Sequence, residues 1–188
     1  MNDLFMRLDF QTEFQESLIT PRLHVGRGYA DCMQVDYVTV LFQADQPILQ
    51  VGAYLQHSRE FDFTSWAELW HGWMVLGFGN SIAFVNLETH QTRLHDLADS
   101  FGSASYFMMI ERSEDYLIGV TSCGLLRFHT NSDIIWAADD VGVDGVFIDK
   151  IERNTIFGAG KWSVLLGWDP FEMDLATGRL ILSNKPPE

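Results

Sequence analysis

The sequence predicts an all-β chain of three to four repeated four-stranded antiparallel units, each about 43 residues long, with a β-sandwich of repeated hairpins as the alternative. Three observations carry this. The tripeptide Ile-Glu-Arg occurs at Ile110 to Arg112 and again at Ile151 to Arg153, each time after one apolar stretch and before another that reaches a glycine. Upstream of the two copies, "ADSFG" (Ala98 to Gly102) and "ADDVG" (Ala138 to Gly142) stand at nearly the same offset. Finally, four strand-turn-strand stretches keep one rhythm: aligning Gln43, Asn86, His129 and Asp174 gives separations of 43, 43 and 45 residues.

Taken in chain order, Asn2 to Leu18 reads two ways. Leu4, Met6, Leu8 and Phe10 alternate as in a strand, whereas Phe14 and Leu18 fit helical spacing. Residues 1–35 are read as an extension packed on a β-repeat region, 36–188, within one domain spanning 1–188. "VLFQADQPILQV" (Val40 to Val51) is the first hairpin. In Thr64 to Trp73, Trp66, Trp70 and Trp73 stand at i, i+4 and i+7 behind Thr64 or Ser65, which predicts a helical turn or two. The 19 residues between Glu68 and Glu88 carry no charge, the length of a membrane span. His71, Asn80, Ser81 and Asn86 interrupt them, however, and "GFGN" (Gly77 to Asn80) is turn chemistry, so a buried hairpin is predicted.

The middle copy supplies four short strands, "SYFMMIE", "YLIGVTS", "GLLRFHT" and "DIIWAA". Within the recurring hairpins, apolar residues precede the turn at a period of two, which predicts one inward face: Val40 and Phe42, Ala83 and Val85, Leu126 and Phe128, Phe171 and Met173. The last copy carries an insertion, "KWSVLLGWDP" (Lys161 to Pro170), before its hairpin. "MDLATGRLIL" (Met173 to Leu182) and "FHTNSDIIW" (Phe128 to Trp136) hold parts of a D-x-x-T-G-x-x-x-W ending, with Asp174, Thr177, Gly178 and Trp136 at matching places. Over residues 40–182 the chain thereby resembles β-propeller repeat proteins. The resemblance implies four-stranded blades, closed into a small ring or left as an arc, and implies no activity.

Composition narrows the chemistry. With 26 acidic against 12 basic residues the net charge is −14, spread without a block, so the chain repels phosphate backbones and no nucleic-acid partner is expected. A basic protein partner suits such a field, as in an acidic antagonist of a basic bacterial toxin. Cys32 and Cys123 are the only cysteines and form no C-x-x-C, and the first ten residues hold acids and no apolar run; a reducing, cytoplasmic setting without a membrane partner is the expectation.

Reaction motifs fail on inspection. "GAGKW" (Gly158 to Trp162) lacks the first glycine and the hydroxyl residue of a phosphate loop. In the acidic stretch Asp139 to Asp149, a calcium-loop register that starts at Asp140 puts Gly142 at the third place and Ile151 at the twelfth, where oxygen ligands belong. Cys123 and His129 offer the one thiol-imidazole pairing to consider. No cofactor, metal or catalytic residue is expected. The predicted function is a non-enzymatic protein-recognition scaffold, with binding residues Trp162, Trp168 and Asp169 on the insertion and Asp139, Asp140 and Asp144 on the acidic turn. The alternative is a carbohydrate-binding protein or glycoside-processing enzyme that uses the tryptophans and acids of 161–172. Unpaired edge strands add an expectation of homo-oligomers.

Overall fold

The computed structural model describes residues 6–26, 37–54, 65–102, 105–139, 141–162 and 167–183. Among them the chain is all-β, arranged as four four-stranded sheets that follow one another along the sequence. The first sheet contains β1 (Met6–Gln11), β2 (Arg22–Val25), β3 (Tyr37–Gln43) and β4 (Gln46–Ala53) in the order β1-β3-β4-β2, with β2 parallel to β4. The other three are antiparallel meanders. The second holds β5 (Trp66–Trp70), β6 (Trp73–Phe78), β7 (Ser81–Asn86) and β8 (Thr92–Asp96), followed by a single turn of helix, α1 (Ala98–Phe101). The third holds β9 (Phe107–Arg112), β10 (Leu117–Thr121), β11 (Leu125–Phe128) and β12 (Ile134–Ala138); the fourth, β13 (Val146–Glu152), β14 (Thr155–Lys161), β15 (Trp168–Asp174) and β16 (Leu180–Ser183).

Two local expectations change. The alternation of Met6 and Leu8 wins over helical spacing, because β1 turns both toward the core shared with the second sheet. The tryptophan spacing at 66, 70 and 73 belongs to a hairpin: β5 and β6 are joined by His71 and Gly72, both at positive φ (47° and 78°), a two-residue turn whose twist suits a hairpin. The first unit also departs from the repeat, since its hairpin β3–β4 occupies the two central positions of its sheet, while the later hairpins lie third and fourth.

Three cores hold the sheets face to face. Leu41, Leu49 and Val51 of the first sheet meet Met74, Leu76 and Val85 of the second. Val75, Ile82 and Phe84 meet Phe107, Leu117 and Phe128 of the third. Ile118, Val120 and Leu125 meet Val146, Ile156, Phe171 and Met173 of the fourth. Val85, Phe128 and Met173, aligned by the repeat, thus each face the preceding sheet, whereas Phe42, the position aligned with them in the first unit, lies outside the core under the Arg7 guanidinium, whose carbon is 4.4 Å from the ring centroid. No core cluster among the described residues joins the fourth sheet to the first, so the stack has two end faces.

The repeat positions recur as turn devices. Asn86 Oδ1 accepts the Glu88 and Thr89 backbone N–H groups (3.1 and 2.8 Å) and the Thr89 hydroxyl (3.0 Å), and Asp174 Oδ1 does the same for Thr177 N–H and hydroxyl (both 2.7 Å). Gly178 closes that turn at φ 69°, where a Cβ would lie 2.6 Å from the Trp136 ring of the preceding sheet. Trp136 also donates its indole N–H to the Leu175 carbonyl (2.9 Å), so the incomplete motif is a seam between neighbouring sheets.

Candidate functional site

The predicted binding residues gather at one corner of the fourth sheet. The link from β12 to β13 carries Asp139 and Asp144, both exposed; Asp140 lies outside the described residues. Val143 and Asp144 donate their backbone N–H groups to the Lys161 carbonyl (2.9 and 3.0 Å), and Lys161 N–H returns a bond to the Gly145 carbonyl (2.8 Å). This lacing fastens the acidic turn to the end of β14. Lys161 is the cross-strand partner of Trp168, and its ammonium lies 3.4 Å from the Asp144 carboxylate. At Gly145, φ 146°, a Cβ would stand 2.9 Å from the Trp168 ring, so only glycine lets the turn pass so close.

Trp168 packs edge-on against Phe147 with centroids 5.0 Å apart, yet 48% of its surface and 37% of that of Phe147 remain exposed. Trp162 is half-buried just beyond β14, and Asp169 is half-buried beside Trp168. Asp144 of the acidic turn and Trp168 of the insertion, separate in the sequence, are therefore on one surface. The sequence reading missed Phe147 and both lysines of this sheet. Phe147 had a signal, an aromatic next to a residue that pairs into the core in a period-two strand.

Four cross-strand rows make up the outer face, the side turned away from the third sheet. They run through Phe147, Ala159 and Pro170; through Lys150, Phe157, Glu172 and Leu182; through Lys161 and Trp168; and through Glu152, Thr155 and Asp174. Lys150 lies over the Phe157 ring, 5.0 Å from its centroid, and 3.0 Å from Glu152. Asp169 and Glu172 stand three apart on β15 and so project to opposite faces. A retaining glycosidase needs two carboxyl groups about 5 Å apart across one bond, which this strand does not provide.

Other candidates resolve into structure. Trp70 and Trp73 spend their indole N–H groups on the Ser113 and Thr130 carbonyls of the third sheet (2.8 Å each) and thus stitch the second sheet to the third. A cleft of about 780 Å³ lies between them, Leu87 and Glu114. Cys123 and His129 sit beyond opposite ends of β11; the thiol lies 3.4 Å from the Ser122 hydroxyl instead. Behind the acidic turn, burial pushes the Tyr106 hydroxyl above its ordinary pKa, with the nearby Asp144 and Cys123 charges adding to the effect. Among the described residues no three His, Cys, Asp or Glu side chains converge as metal ligands, and no helix is long and apolar enough to cross a membrane.

Fold and site together define an all-β repeat protein with an exposed aromatic corner on its last sheet. No protein-family model matches the chain, and no curated protein matches it.

Proposed function

We propose that the chain is a non-enzymatic protein-recognition scaffold, built as an open arc of propeller-like blades, whose docking face is the outer face of the fourth sheet. The observation that carries this reading is the Trp168–Phe147 pair, two large rings fixed by packing against each other and left open to solvent. Ordered aromatic contact area of this kind is what protein interfaces use as anchors, because little side-chain freedom remains to be lost. Leu182 (47% exposed) and the ring of Phe157 extend the apolar area from the corner across the sheet. At long range the charge of −14 favours a basic partner, as in an acidic antagonist of a basic toxin, while the face itself carries Lys150 and Lys161.

The test is affinity capture from cell extract with the wild-type chain, Trp168→Asp and Phe147→Glu as baits, identifying retained proteins by mass. Retention lost in both variants but kept in a control such as Asp115→Asn supports the docking face; equal retention by all baits overturns it. A carbohydrate reading has one observation in its favour, the exposed indole. A glycan array read with wild type and Trp168→Ala decides it, binding abolished by the substitution being the outcome that favours a sugar.

A further inference from the structure

We infer that the cleft at the turn end of the second sheet binds an organic cation, an ammonium or guanidinium head on an apolar stem. It shares no residue with the docking face of the fourth sheet and stands apart from that reading. Three turns meet there: His71-Gly72 between β5 and β6, Asn86 to Glu88 after β7, and Ser113-Glu114 after β9. The volume of about 780 Å³ falls within the range of small-molecule sites, about 300 to 1,000 Å³.

The walls are fixed before any ligand arrives. The Leu87 N–H donates to the Gly72 carbonyl (2.9 Å), which ties the turn after β7 to the hairpin. On its other side the hairpin reaches into the third sheet: the Trp70 indole N–H donates to the Ser113 carbonyl (2.8 Å) and His71 Nε2 to the Glu114 carbonyl (2.6 Å). Trp73 is held by its indole bond to the Thr130 carbonyl (2.8 Å) and by the Phe84 ring, edge-on with centroids 6.1 Å apart. A Cβ on Gly72 would meet nothing within 4 Å, so the hairpin tip leaves the space open. Walls that need no reordering lose little freedom on binding.

Charge selects the ligand. Glu88, Glu114 and Arg112 are the charged residues among the lining. The Arg112 guanidinium is already engaged, its Nε 2.7 Å from the Glu68 carboxylate. Glu88 and Glu114 are exposed and form no ion pair among the described residues, so the charge left unneutralised in the cleft is negative. The chain as a whole carries −14, and a field of that sign concentrates cations. Leu69, Leu87 and the half-buried Trp73 supply the apolar part of the lining. A cation on an alkyl stem matches both halves: the stem takes the aliphatic surface, the head takes the carboxylates, and an indole in the same wall adds its own attraction.

A sugar matches less well. Stacking a sugar ring needs an open aromatic face, and Trp70 is 5% exposed, while Asn86 Oδ1 already accepts three bonds. Met6 lines the first-sheet side, but every group that recognises the cation belongs to the second or third sheet. A free amine or guanidine offers this chemistry, and so does an arginine or lysine side chain of a protein.

Titration of the full chain with n-butylguanidinium, followed by calorimetry and two-dimensional proton–nitrogen NMR, tests the site. One site with a dissociation constant of about 1 mM is expected for a cation of about eight heavy atoms. The Trp70 and Trp73 indole signals and the amides of residues 71–73, 86–88 and 113–114 should shift. n-Butanol, the neutral counterpart, should leave them in place. Glu88→Gln and Glu114→Gln, both at exposed side chains that leave the fold intact, should each weaken binding about threefold, and together about tenfold. Asp149→Asn, at an exposed acid of β13, should change it by less than about twofold. No shift at these signals, n-butanol binding as tightly as the cation, or equal weakening by all three single variants overturns the site. Tighter binding of Nα-acetylarginine methylamide than of spermidine supports it with a protein side chain as the source; the reverse supports it with a free polyamine. Trp168→Asp should bind the cation as wild type does, so the cleft and the docking face fail separately.

Discussion

His95 shows how a single residue carries both a seam and a pH response. It belongs to β8, its ring lies 5.6 Å from Phe84 and 5.2 Å from Phe128, and its Nε2 is 2.8 Å from the Ser132 carbonyl of the third sheet. The carbonyl requires Nε2 to carry the proton and donate, which the neutral tautomer does. Burial lowers the pKa below the ordinary 6.5; the Ser132 bond opposes this, the nearby Arg93 lowers it further and Asp133 raises it. The unfolded chain then binds the proton more readily than the folded one, so stability is fully present above about pH 6.5 and is lost as pH falls through that value toward the folded pKa. Urea midpoints between about pH 7.5 and about pH 5 should decrease in the wild type and decrease less in His95→Gln. His24, also lowered, first by burial and then by Arg22, leaves a residual slope of the same sign. Equal slopes in the two proteins would remove His95 from the account. Nothing in the sequence marked this histidine, since its environment is made by a strand of the next sheet.

At the scale of the element, hairpins were legible and their register against neighbours was not. The alignment of Asn86, His129 and Asp174 located three turns because the same geometry needs an acceptor at the same place, and the positive φ of His90, Ser132 and Gly178 (59°, 70° and 69°) follows three or four residues later in each. Gln43 fits the rhythm by position, but its turn is the two-residue Ala44-Asp45 kind with both residues at positive φ. The hairpin at Trp66 to Phe78 was hidden because a spacing of 4 and 3 places tryptophans on one helical face as well as on one face of two paired strands, where Trp73 stands opposite Trp70; His-Gly between them was the available signal. The convergence of Asp144 with Trp168 depends on how β14 ends against the incoming turn, a long-range fact without a local pattern. Turn chemistry, being local, permits a sharp expectation. Asn86→Ala removes the one oxygen that accepts three bonds and should cost about 1 kcal/mol, whereas Asn86→Asp should stay within about 0.5 kcal/mol of wild type. Chemical denaturation of the three proteins measures it, and an alanine variant as stable as wild type would show that water replaces the acceptor without loss.

For the whole molecule, the order of the cores predicts the order of opening. The second and third sheets each share two cores, one on either face, and the first and fourth share one. In a stack whose units touch only their neighbours, stability is close to a sum of unit and interface terms, so an end unit opens at lower free energy than a middle one. The two ends differ as well: opening the first sheet also frees residues 12–21, which cross from β1 to β2, and leaves the Gln50 carboxamide without its three bonds to Gln15 and Thr20, while opening the fourth gives up the face built on Ile156, Phe171 and Met173 and the bonds that the Leu175 carbonyl accepts from Trp136 and Arg127. Native-state hydrogen exchange at low micromolar concentration should therefore rank the amides of β14 and β15 as the first to open, those of β3 and β4 next, and those of β6, β7, β10 and β11 only with global unfolding. Exchange of β14 at the global rate, at low concentration, would mean that the four sheets open as one unit and that the fourth is held by more than its single core.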